Sequence, residues 1–552
     1  MPDPQATATA TARQEPLRWP RAAIVNALDD FAAAEHASER AFAQEQGIPH
    51  ATFNYWWRHY RPDDADPTQA FFRSAAGELV LRQIVTAALL VFQQRGACGI
   101  RLVGEFLQLT QLDRFVACSR GALQPLAAHL EADLVAFRDA EQPALAHAME
   151  RKTITVVADE HFHSGKPCLV GLEPVTGFLL VECYRDHRDA DTWKGAIQEG
   201  TAGMPVEIVQ LTSDLARALL CCAEKGLQVA HSPDLFHGQR DLLQPLLLPL
   251  QRPIQQAEKE LAKAQQLTAK LDVPADQASA PQVLAISAAV RQELTLQQRL
   301  EQAQERQQQA VQQVRGVADD YHPFDRHSGR PVTAAEVGQR LNQHLAELEQ
   351  VAAAAHLGDK PRQALAKARP WVTTLLGCVA WFWCLVKTRV QQLELSDAQE
   401  RAVYDSLVAG HYWSVAAGRA RTSAERQRLK KMAAALLQEA WQEGSALASL
   451  AEPEQQRVAA VAQACAGLLQ RSSSCVEGRN GRLSLQQHGH SRVSERRLRA
   501  LTVIHNYLVK DDDGTTAAER FFGQKHKDLF SWLLQRLPDL PRPAQKRPKQ
   551  VA

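Results

Sequence analysis

The sequence predicts an α/β core with a mixed five-stranded sheet, embedded in a mainly α-helical, multidomain chain with a coiled-coil insertion. Three observations support this fold class. The dense β signal is confined to Thr153–His237, and the chain on either side of it has helical patterning. Within residues 241–470, leucine and valine recur at heptad-like spacing among many glutamines, which is typical of a coiled coil. The length of 552 residues exceeds what one hydrophobic core organises.

Composition and charge narrow the class of protein only in part. The chain is 45% hydrophobic and 23% charged, as in soluble globular proteins, and its formal net charge is +1. Any surface that binds nucleic acid must therefore be a local patch of positive charge. The ten cysteines include no C-x-x-C pair, which indicates a reducing, cytoplasmic compartment. The start of the chain lacks the apolar segment of a signal peptide, and we expect residues 1–20 to be disordered.

One run, Trp371–Val386, is apolar enough to raise the question of a membrane helix. It reads "WVTTLLGCVAWFWCLV", follows Pro370 and is shorter than the roughly 20 residues that span a bilayer. We therefore expect a buried helix and no membrane partner, with a membrane span as the alternative.

Residues 21–64 have the pattern of a DNA-binding unit. Within "SERAFAQEQGIPHATFNYWWRHYR", Gly47 suits a left-handed turn and Pro49 suits the start of the next helix. Two short helices around such a turn resemble a helix-turn-helix, whose second helix enters the major groove. The alternative is an ordinary helical hairpin. The candidate DNA contacts are His50, Thr52, Asn54, Tyr55, Arg58 and Arg61.

The next segment, residues 65–150, is predicted to be a second helical domain. A turn at Cys118–Ser119 separates two helical stretches, so the segment is either a further DNA-binding unit or a plain helical bundle. The sequence leaves these two interpretations open.

The β-rich stretch, residues 151–240, forms the first part of the predicted core. Strand patterns alternate with turn and helix signals in the order β-β-β-α-β-α-β, which favours a mixed sheet flanked by helices. The predicted strands are Thr153–Ala158, Cys168–Glu173, Phe178–Tyr184, Glu207–Thr212 and Leu227–His231. Asp159 and Asp214 directly follow the first and the fourth of these strands.

The chain then becomes helical again. Residues 241–470 contain two heptad-patterned stretches, which we interpret as the arms of an antiparallel coiled coil joined near "DVPADQASAPQ". Residues 471–535 carry helical patterns assigned to the C-terminal part of the core. Residues 536–552 form a basic, proline-rich tail that we expect to be flexible.

Two aspartates at the carboxyl ends of neighbouring strands are a candidate metal site. Their carboxylates are hard oxygen ligands that suit Mg²⁺ or Mn²⁺. A pair of such ions activates a water or a 3′-hydroxyl and stabilises the leaving oxygen of a phosphodiester. The reaction needs a third carboxylate to complete the cage.

With this order of strands, the chain resembles the DDE transposases, which have a ribonuclease H-like core. Asp159 in "VVADE" and Asp214 in "LTSDLA" match the family's first two acids, and Glu477 in "SSSCVEGRNGRL" matches the third. The resemblance implies that these three residues are catalytic and bind two divalent ions. Glu495 and Glu160 are the alternatives for the third acid.

A long helical region before the last acid resembles the insertion of Mutator-like and hAT transposases. Those families carry a C/D-x-x-H pair after the fifth strand, and "SPDLFH" supplies Asp234 and His237 at that point. The resemblance gives these two residues and Asn480 supporting roles. The predicted helix after Glu477 is rich in arginine, and Arg479 and Arg482 are candidate DNA contacts for that reason.

The resemblance implies a set of partners and a location. They are double-stranded DNA at transposon ends and targets, a homodimer or higher oligomer, and a cytoplasmic protein that is nucleoid-associated when it binds DNA. Two other classes stay open. One is a DNA-binding regulator on a degenerate, non-catalytic core, and the other is a mainly structural coiled-coil protein.

Overall fold

A computed structural model describes residues 19–33, 38–60, 67–271, 279–420, 422–489 and 493–543. The fold is mainly helical and contains one mixed five-stranded sheet, as the sequence predicts at this level. The predicted disordered start, the join between the coiled-coil arms and most of the basic tail lie outside the described residues.

The chain divides into two compact units. Unit 1 comprises residues 1–142, 484–509 and 525–552, and unit 2 comprises residues 143–483 and 510–524. The two predicted N-terminal domains therefore fall almost entirely within one unit. The segment 471–535, expected as one part of the core, is instead shared between the units.

Unit 1 is helical throughout its described part. Its helices are α1 Arg21–Ala33, α2 Glu39–Glu45, α3 His50–Tyr60, α4 Pro67–Arg73, α5 Ala75–Ala88 with a π-helical extension Leu89–Arg95, α6 Ile100–Leu109 and most of α7 Arg120–Ala148. The later helices α19 Glu495–Tyr507 and α21 Leu529–Arg536 also belong to this unit.

The predicted break between α2 and α3 is confirmed. Ser38 caps α2 by accepting a hydrogen bond of 3.2 Å from the Ala41 amide, and Gly47 has a φ of +67°. Phe42, Ile48, Phe53 and Trp56 fill the core beneath these helices, together with Ala43. Ala41 is exposed, because the face of α2 that packs on this core carries Phe42 and Ala43.

Unit 2 is built around the sheet. The strands and the first helices are β1 Lys152–His163, β2 Lys166–Glu173, β3 Phe178–Tyr184, α8 Ala190–Thr201, β4 Val206–Ser213, α9 Arg217–Cys221 with a π-helical extension Cys222–Leu227, and β5 Ala230–Pro233. The strand order is β3-β2-β1-β4-β5. β1 pairs with β4, and β4 with β5, in parallel, whereas β1, β2 and β3 form an antiparallel meander.

Two strand boundaries differ from prediction by more than two residues, the end of β1 and the start of β5, and both have local causes. β1 continues to His163 because Ser164 and Gly165, with φ of +50° and +80°, form a tight turn into β2. Asp159 therefore lies within β1 rather than after it. β5 begins at Ala230 because Gln228 adopts a left-handed conformation that ends the preceding helical turn.

A block of helices separates β5 from the last helices of unit 2. They are α10 Leu235–Leu271, α11 Ala280–Asp320, α12 Ala334–Ala354, α13 Asp359–Gln391, α14 Asp397–Ala402, α15 Ala409–Gly418, α16 Ser423–Trp441 and α17 Glu452–Ala466. The chain then forms α18 Ser474–Gly489, which unit 2 contains as far as Leu483, and α20 Ala517–Phe522.

The antiparallel coiled coil is confirmed for α10 and α11. Gln307 near the base of the arm donates to Gln251 at 2.6 Å, and Leu296 further out packs with Leu261 and Ala264. Buried positions recur every seven residues along α11, at Ala289, Leu296, Ala303 and Ala310.

Two helical stretches, Ala75–Arg95 and Asp359–Gln391, are long and apolar enough to cross a membrane by length and composition alone. This is weak evidence, since core helices pass the same test. In α13 the apolar run packs into the core of the inserted helices, where Trp371, Leu375 and Phe382 are buried. That packing agrees with the buried helix expected from the sequence.

Candidate active site

The register of the sheet brings two of the predicted acids to one level. β1 and β4 are parallel neighbours, and Val157 of β1 pairs with Thr212 of β4. Asp159 and Asp214 each follow two residues further along. Since adjacent parallel strands advance together, both carboxylates lie near the same edge of the sheet.

A third acid stands in the same row. Ser213 of β4 pairs with Pro233 of β5. The next residue along the chain is Asp214 after β4 and Asp234 after β5. The Asp234 amide donates to the Ser213 carbonyl at 2.8 Å, so the ladder continues to this point. Three parallel strands thus place Asp159, Asp214 and Asp234 side by side.

Asp159 is half-buried and held at both oxygens. The Glu160 amide donates to Oδ1 at 2.9 Å, and Asn480 Nδ2 donates to Oδ2 at 2.9 Å. Burial raises the pKa of Asp159 to about 6; the Glu160 hydrogen bond opposes this rise, and the nearby Asp214 charge adds to it. Burial therefore favours the neutral form of this carboxyl.

Asp214 is also half-buried and follows β4 directly. Its Oδ1 accepts a hydrogen bond of 3.1 Å from the Ala216 amide, which fixes the turn before α9. The carboxylate is thus anchored through one oxygen at the edge that faces Asp159.

Asp234 is fully buried and joins two distant parts of the chain. Its Oδ1 accepts from the Phe236 amide at 2.6 Å, and its Oδ2 lies 3.1 Å from His237 Nδ1. Oδ2 also accepts from the Ser473 amide at 3.0 Å and from the Ser473 hydroxyl. Asp234 therefore connects the start of α10 to the residue that precedes α18.

Glu477 lies in the first turn of α18, beside His237. His237 Nδ1 is 3.9 Å from Glu477 Oε1, and ligand atoms of Asp234, His237 and Glu477 lie within 4.8 Å of one another. Asn480 lies three residues after Glu477, on the same helical face, and contacts Asp159. The predicted supporting residues therefore link Glu477 to the aspartates.

The two alternative third acids are engaged elsewhere. Glu160 forms an ion pair with Arg188, and as the neighbour of Asp159 in β1 it points to the other face of the sheet. Glu495 belongs to unit 1, where its carboxylate pairs with Arg499 at 2.8 Å. Of the three acids, Glu477 is the one that lies beside His237 and Asp234.

Buried polar residues of the strands, which sequence reasoning missed, hold the returning chain against the sheet. Thr155 Oγ1 donates to the Leu468 carbonyl at 3.1 Å. The Gln470 amide donates to Gln210 Oε1 at 3.1 Å, and Ser232 Oγ donates to the Gln470 carbonyl at 2.8 Å. The available signal was polar side chains within otherwise apolar strands, since such groups need a partner when they are buried.

The predicted DNA contacts in α3 differ in availability. His50, Tyr55 and Arg58 are exposed, and Thr52 is half-buried. Asn54 Nδ2 donates to Glu39 Oε2 at 2.8 Å, so a DNA contact would compete with this bond between α2 and α3. Arg61 lies outside the described residues.

The expectation that Arg479 contacts DNA is corrected by the structure. Its guanidinium is buried and forms two hydrogen bonds, of 2.6 and 2.7 Å, to the carboxylate of Glu182. Because the Nε and Nη2 groups of Arg479 both donate to Glu182 in the interior, this guanidinium does not face a phosphate. Arg482, one turn on, is exposed.

Two histidines of β1 flank the site. His163 Nδ1 lies 3.1 Å from the Tyr184 hydroxyl, and burial lowers the pKa of His161. Both are half-buried. Burial therefore favours the neutral form of the His161 imidazole.

Within the described residues, one group of possible metal-ligand atoms lies together: those of Asp234, His237 and Glu477, all within 4.8 Å of one another. Asp159 and Asp214 are not part of this group. Carboxylate oxygens suit Mg²⁺ or Mn²⁺, and Mn²⁺ also accepts an imidazole nitrogen. The carboxylate of Asp234 is already satisfied by its neighbours, so we assign it to holding the site together.

Comparison with known proteins adds one finding. Residues 403–549 match the model of a family of unknown function, DUF6399. This stretch includes Glu477, Arg479 and Asn480. No curated protein and no solved structure matches the chain.

Proposed function

We propose that this protein is a DDE-type DNA transposase, which binds transposon ends and catalyses divalent-metal-dependent strand cleavage and strand transfer. The observation that carries the proposal is the register of β1 and β4, which sets Asp159 and Asp214 at one level. The link from Asp159 through Asn480 to α18, the helix that bears Glu477, supports it.

Each residue has a distinct role in this proposal. Asp159, Asp214 and Glu477 would hold two Mg²⁺ or Mn²⁺ ions, which when bound would supply Lewis-acid activation of the attacking oxygen. Asn480 orients the Asp159 carboxylate through its hydrogen bond. Asp234 and His237 fix the start of α18 relative to the strands.

The proposed core is a ribonuclease H-like fold interrupted by a helical insertion, as in Mutator-like and hAT transposases. The strand order β3-β2-β1-β4-β5 supports it, as does a final helix that returns to the sheet after α10 to α17. In this reading the helices of unit 1 bind DNA and the protein acts as a homodimer or higher oligomer. It resides in the cytoplasm and associates with the nucleoid when it binds DNA.

A cleavage assay tests the proposal. The purified chain is incubated with Mg²⁺ and a supercoiled plasmid carrying the DNA that flanks its gene. We expect nicked and linear products from the wild type. Asp159→Ala, Asp214→Ala and Glu477→Ala each remove a metal ligand, so we expect cleavage below detection with DNA binding retained in a mobility-shift assay.

Glu495→Ala is the matched control for the third acid. It removes a carboxylate of the same type from a position paired with Arg499 in unit 1, and we expect wild-type cleavage. Metal-dependent cleavage that survives in any of the three alanine variants would contradict the assignment of that residue.

A second candidate is a DNA-binding regulator on a non-catalytic core. One observation favours it: the titratable neighbours closest to Glu477 are His237 and Asp234, whose carboxylate is already fully engaged. This candidate predicts DNA binding with no metal-dependent cleavage, and no thermal stabilisation by Mg²⁺ or Mn²⁺.

A further inference from the structure

A buried ion pair ties the helix that carries Glu477 to the far edge of the sheet. Arg479 Nε and Nη2 donate to the two carboxylate oxygens of Glu182 at 2.6 and 2.7 Å. The side chains of Arg479 and Glu182 are 8% and 0% exposed. A pair this deeply buried is costly to desolvate, so it is weak evidence for a purely stabilising role.

The location of the pair links it to the site. Glu182 lies in β3, an edge strand, whereas Asp159 lies in β1. α18 reaches both strands, through Arg479 and through Asn480. The residue before α18, Ser473, is fixed to Asp234 at the end of β5. Three contacts on three strands thus hold one helix.

The position of Arg479 on α18 lets its ion pair with Glu182 restrict the rotation of this helix about its axis. Glu477 and Asn480 share one face, and Arg479 lies on an adjacent face about 100° round from Asn480. Contacts on two faces fix the rotation of a helix about its axis, which contacts on one face do not. At a side-chain radius of about 5–6 Å, a rotation of 20° moves a tip by about 2 Å.

We propose that the Arg479–Glu182 ion pair is a positioning device for the active site. It fixes the rotation of α18, so that Asn480 meets Asp159 and Glu477 meets the neighbouring ligands. Arg479 touches no reacting atom and acts through Glu477 and Asn480. The inference rests on the proposed function, and it replaces the DNA contact expected for Arg479.

The first test breaks the pair with a near-isosteric change. Glu182→Gln should reduce the turnover rate of Mg²⁺-dependent plasmid cleavage by about 10- to 100-fold, the range found when a group supporting a metal ligand is lost. The Kd for DNA should stay within about twofold, because the pair is buried away from solvent. Hydrogen exchange of amides 474–483 should accelerate while exchange in β1 and β4 is unchanged.

A second variant separates positioning from stability. Glu182→Gln combined with Arg479→Met removes both charges, so no uncompensated charge remains buried and thermal stability should return to near wild type. If the pair positions α18, cleavage stays reduced at least tenfold despite the restored stability. Cleavage that recovers together with stability would overturn the proposal.

Glu439→Gln is the control. It breaks another Arg–Glu ion pair of unit 2, in which one nitrogen of Arg330, Nη2, donates to both carboxylate oxygens of Glu439 at 2.8 and 2.9 Å among the inserted helices. The side chains of this pair are 42% and 40% exposed, so the control tests the loss of an Arg–Glu pair outside α18 and not the loss of a buried one. We expect unchanged cleavage and unchanged exchange in α18. Equal loss of cleavage in Glu439→Gln and Glu182→Gln would also overturn the positioning role.

The readouts separate failure of this inference from failure of the proposed function. A wild type that does not cleave DNA removes the proposed function, and the exchange of α18 in Glu182→Gln then still decides whether the pair fixes this helix. A wild type that cleaves, with Glu182→Gln equal to it in rate and exchange, removes only the positioning role.

Discussion

At the scale of single residues, the site combines carboxylates whose environments differ. Asp234 is fully buried yet surrounded by donors, whereas Asp159 is half-buried with fewer donors and a second acid nearby. Hydrogen bonds to a carboxylate stabilise its ionised form, and Asp234 receives more of them than Asp159 does. It separates Asp234, which holds the structure together, from Asp159, the residue proposed to bind a cation.

The raised pKa of Asp159 predicts that the free energy of unfolding of the metal-free protein decreases as pH rises. The folded state keeps its proton up to about pH 6, above the ordinary value of 3.8. Stability therefore falls as pH rises between these values, and Asp159→Asn removes the fall. We expect this variant to raise the free energy of unfolding at pH 7.5 by on the order of 1–3 kcal/mol.

Urea unfolding at two pH values checks this prediction. The advantage of Asp159→Asn should be present at pH 7.5 and should shrink towards zero as pH falls below the ordinary pKa of 3.8, where the wild-type carboxyl is mostly protonated in both states. A variant that is less stable than wild type at pH 7.5 would show that Asp159 has a structural rather than a charged, functional role.

At the scale of elements, α18 depends on the end of β5. Asp234→Ala removes the acceptor of the Ser473 amide and hydroxyl and of His237, so it leaves buried donors without a partner. We expect a loss of about 2–4 kcal/mol in the free energy of unfolding and faster hydrogen exchange in the first turn of α18.

Asp241→Ala is the control for this loss. Asp241 lies two turns along α10, and its side chain is 74% exposed. Removing it should change the free energy of unfolding by less than about 0.5 kcal/mol. If Asp234→Ala behaves like this control, Asp234 does not hold α18 to the sheet.

The second helix of the N-terminal pair carries its own prediction. Arg58 is exposed on α3, so Arg58→Ala should weaken binding of a duplex from the gene's flanking DNA and reduce the slope of log K against log salt by about 1. Mobility-shift titrations between 50 and 200 mM salt, roughly the physiological range, measure this slope. An unchanged slope would place the phosphate contacts elsewhere.

At the scale of the whole molecule, the site is complete only when residues far apart in sequence meet. The segment from Leu468 to Ser473 follows the inserted helices and is bound to β1, β4 and β5 by buried polar side chains. Metal binding should therefore report on the folded assembly of the sheet with α18.

Thermal unfolding tests this dependence. A cation that binds the folded state alone stabilises it by RT ln(1 + [L]/Kd), about 2.7 kcal/mol at a hundredfold excess over Kd. We expect Mn²⁺ to raise the Tm of the wild type and of Glu495→Ala. Asp214→Ala and Glu477→Ala should show at most a small rise. A Tm that Mn²⁺ leaves unchanged in the wild type would argue against the metal site.

The sequence by itself determined the elements and the residue types that carry the candidate chemistry. Strand and helix patterns predicted the mixed sheet, the break at Gly47 and the coiled-coil arms, because local periodicity and turn residues act over a few positions. The choice of Asp159, Asp214 and Glu477 as catalytic acids came from a resemblance, and their roles stay predictions.

Only the tertiary structure decided which side chains contact one another. It set Asp159, Asp214 and Asp234 at one level through strand register, and it turned Arg479 inward to Glu182. It also divided the C-terminal helices between two units. Sequence patterns cannot supply these facts, because register and long-range ion pairs depend on packing between segments that are tens to hundreds of residues apart.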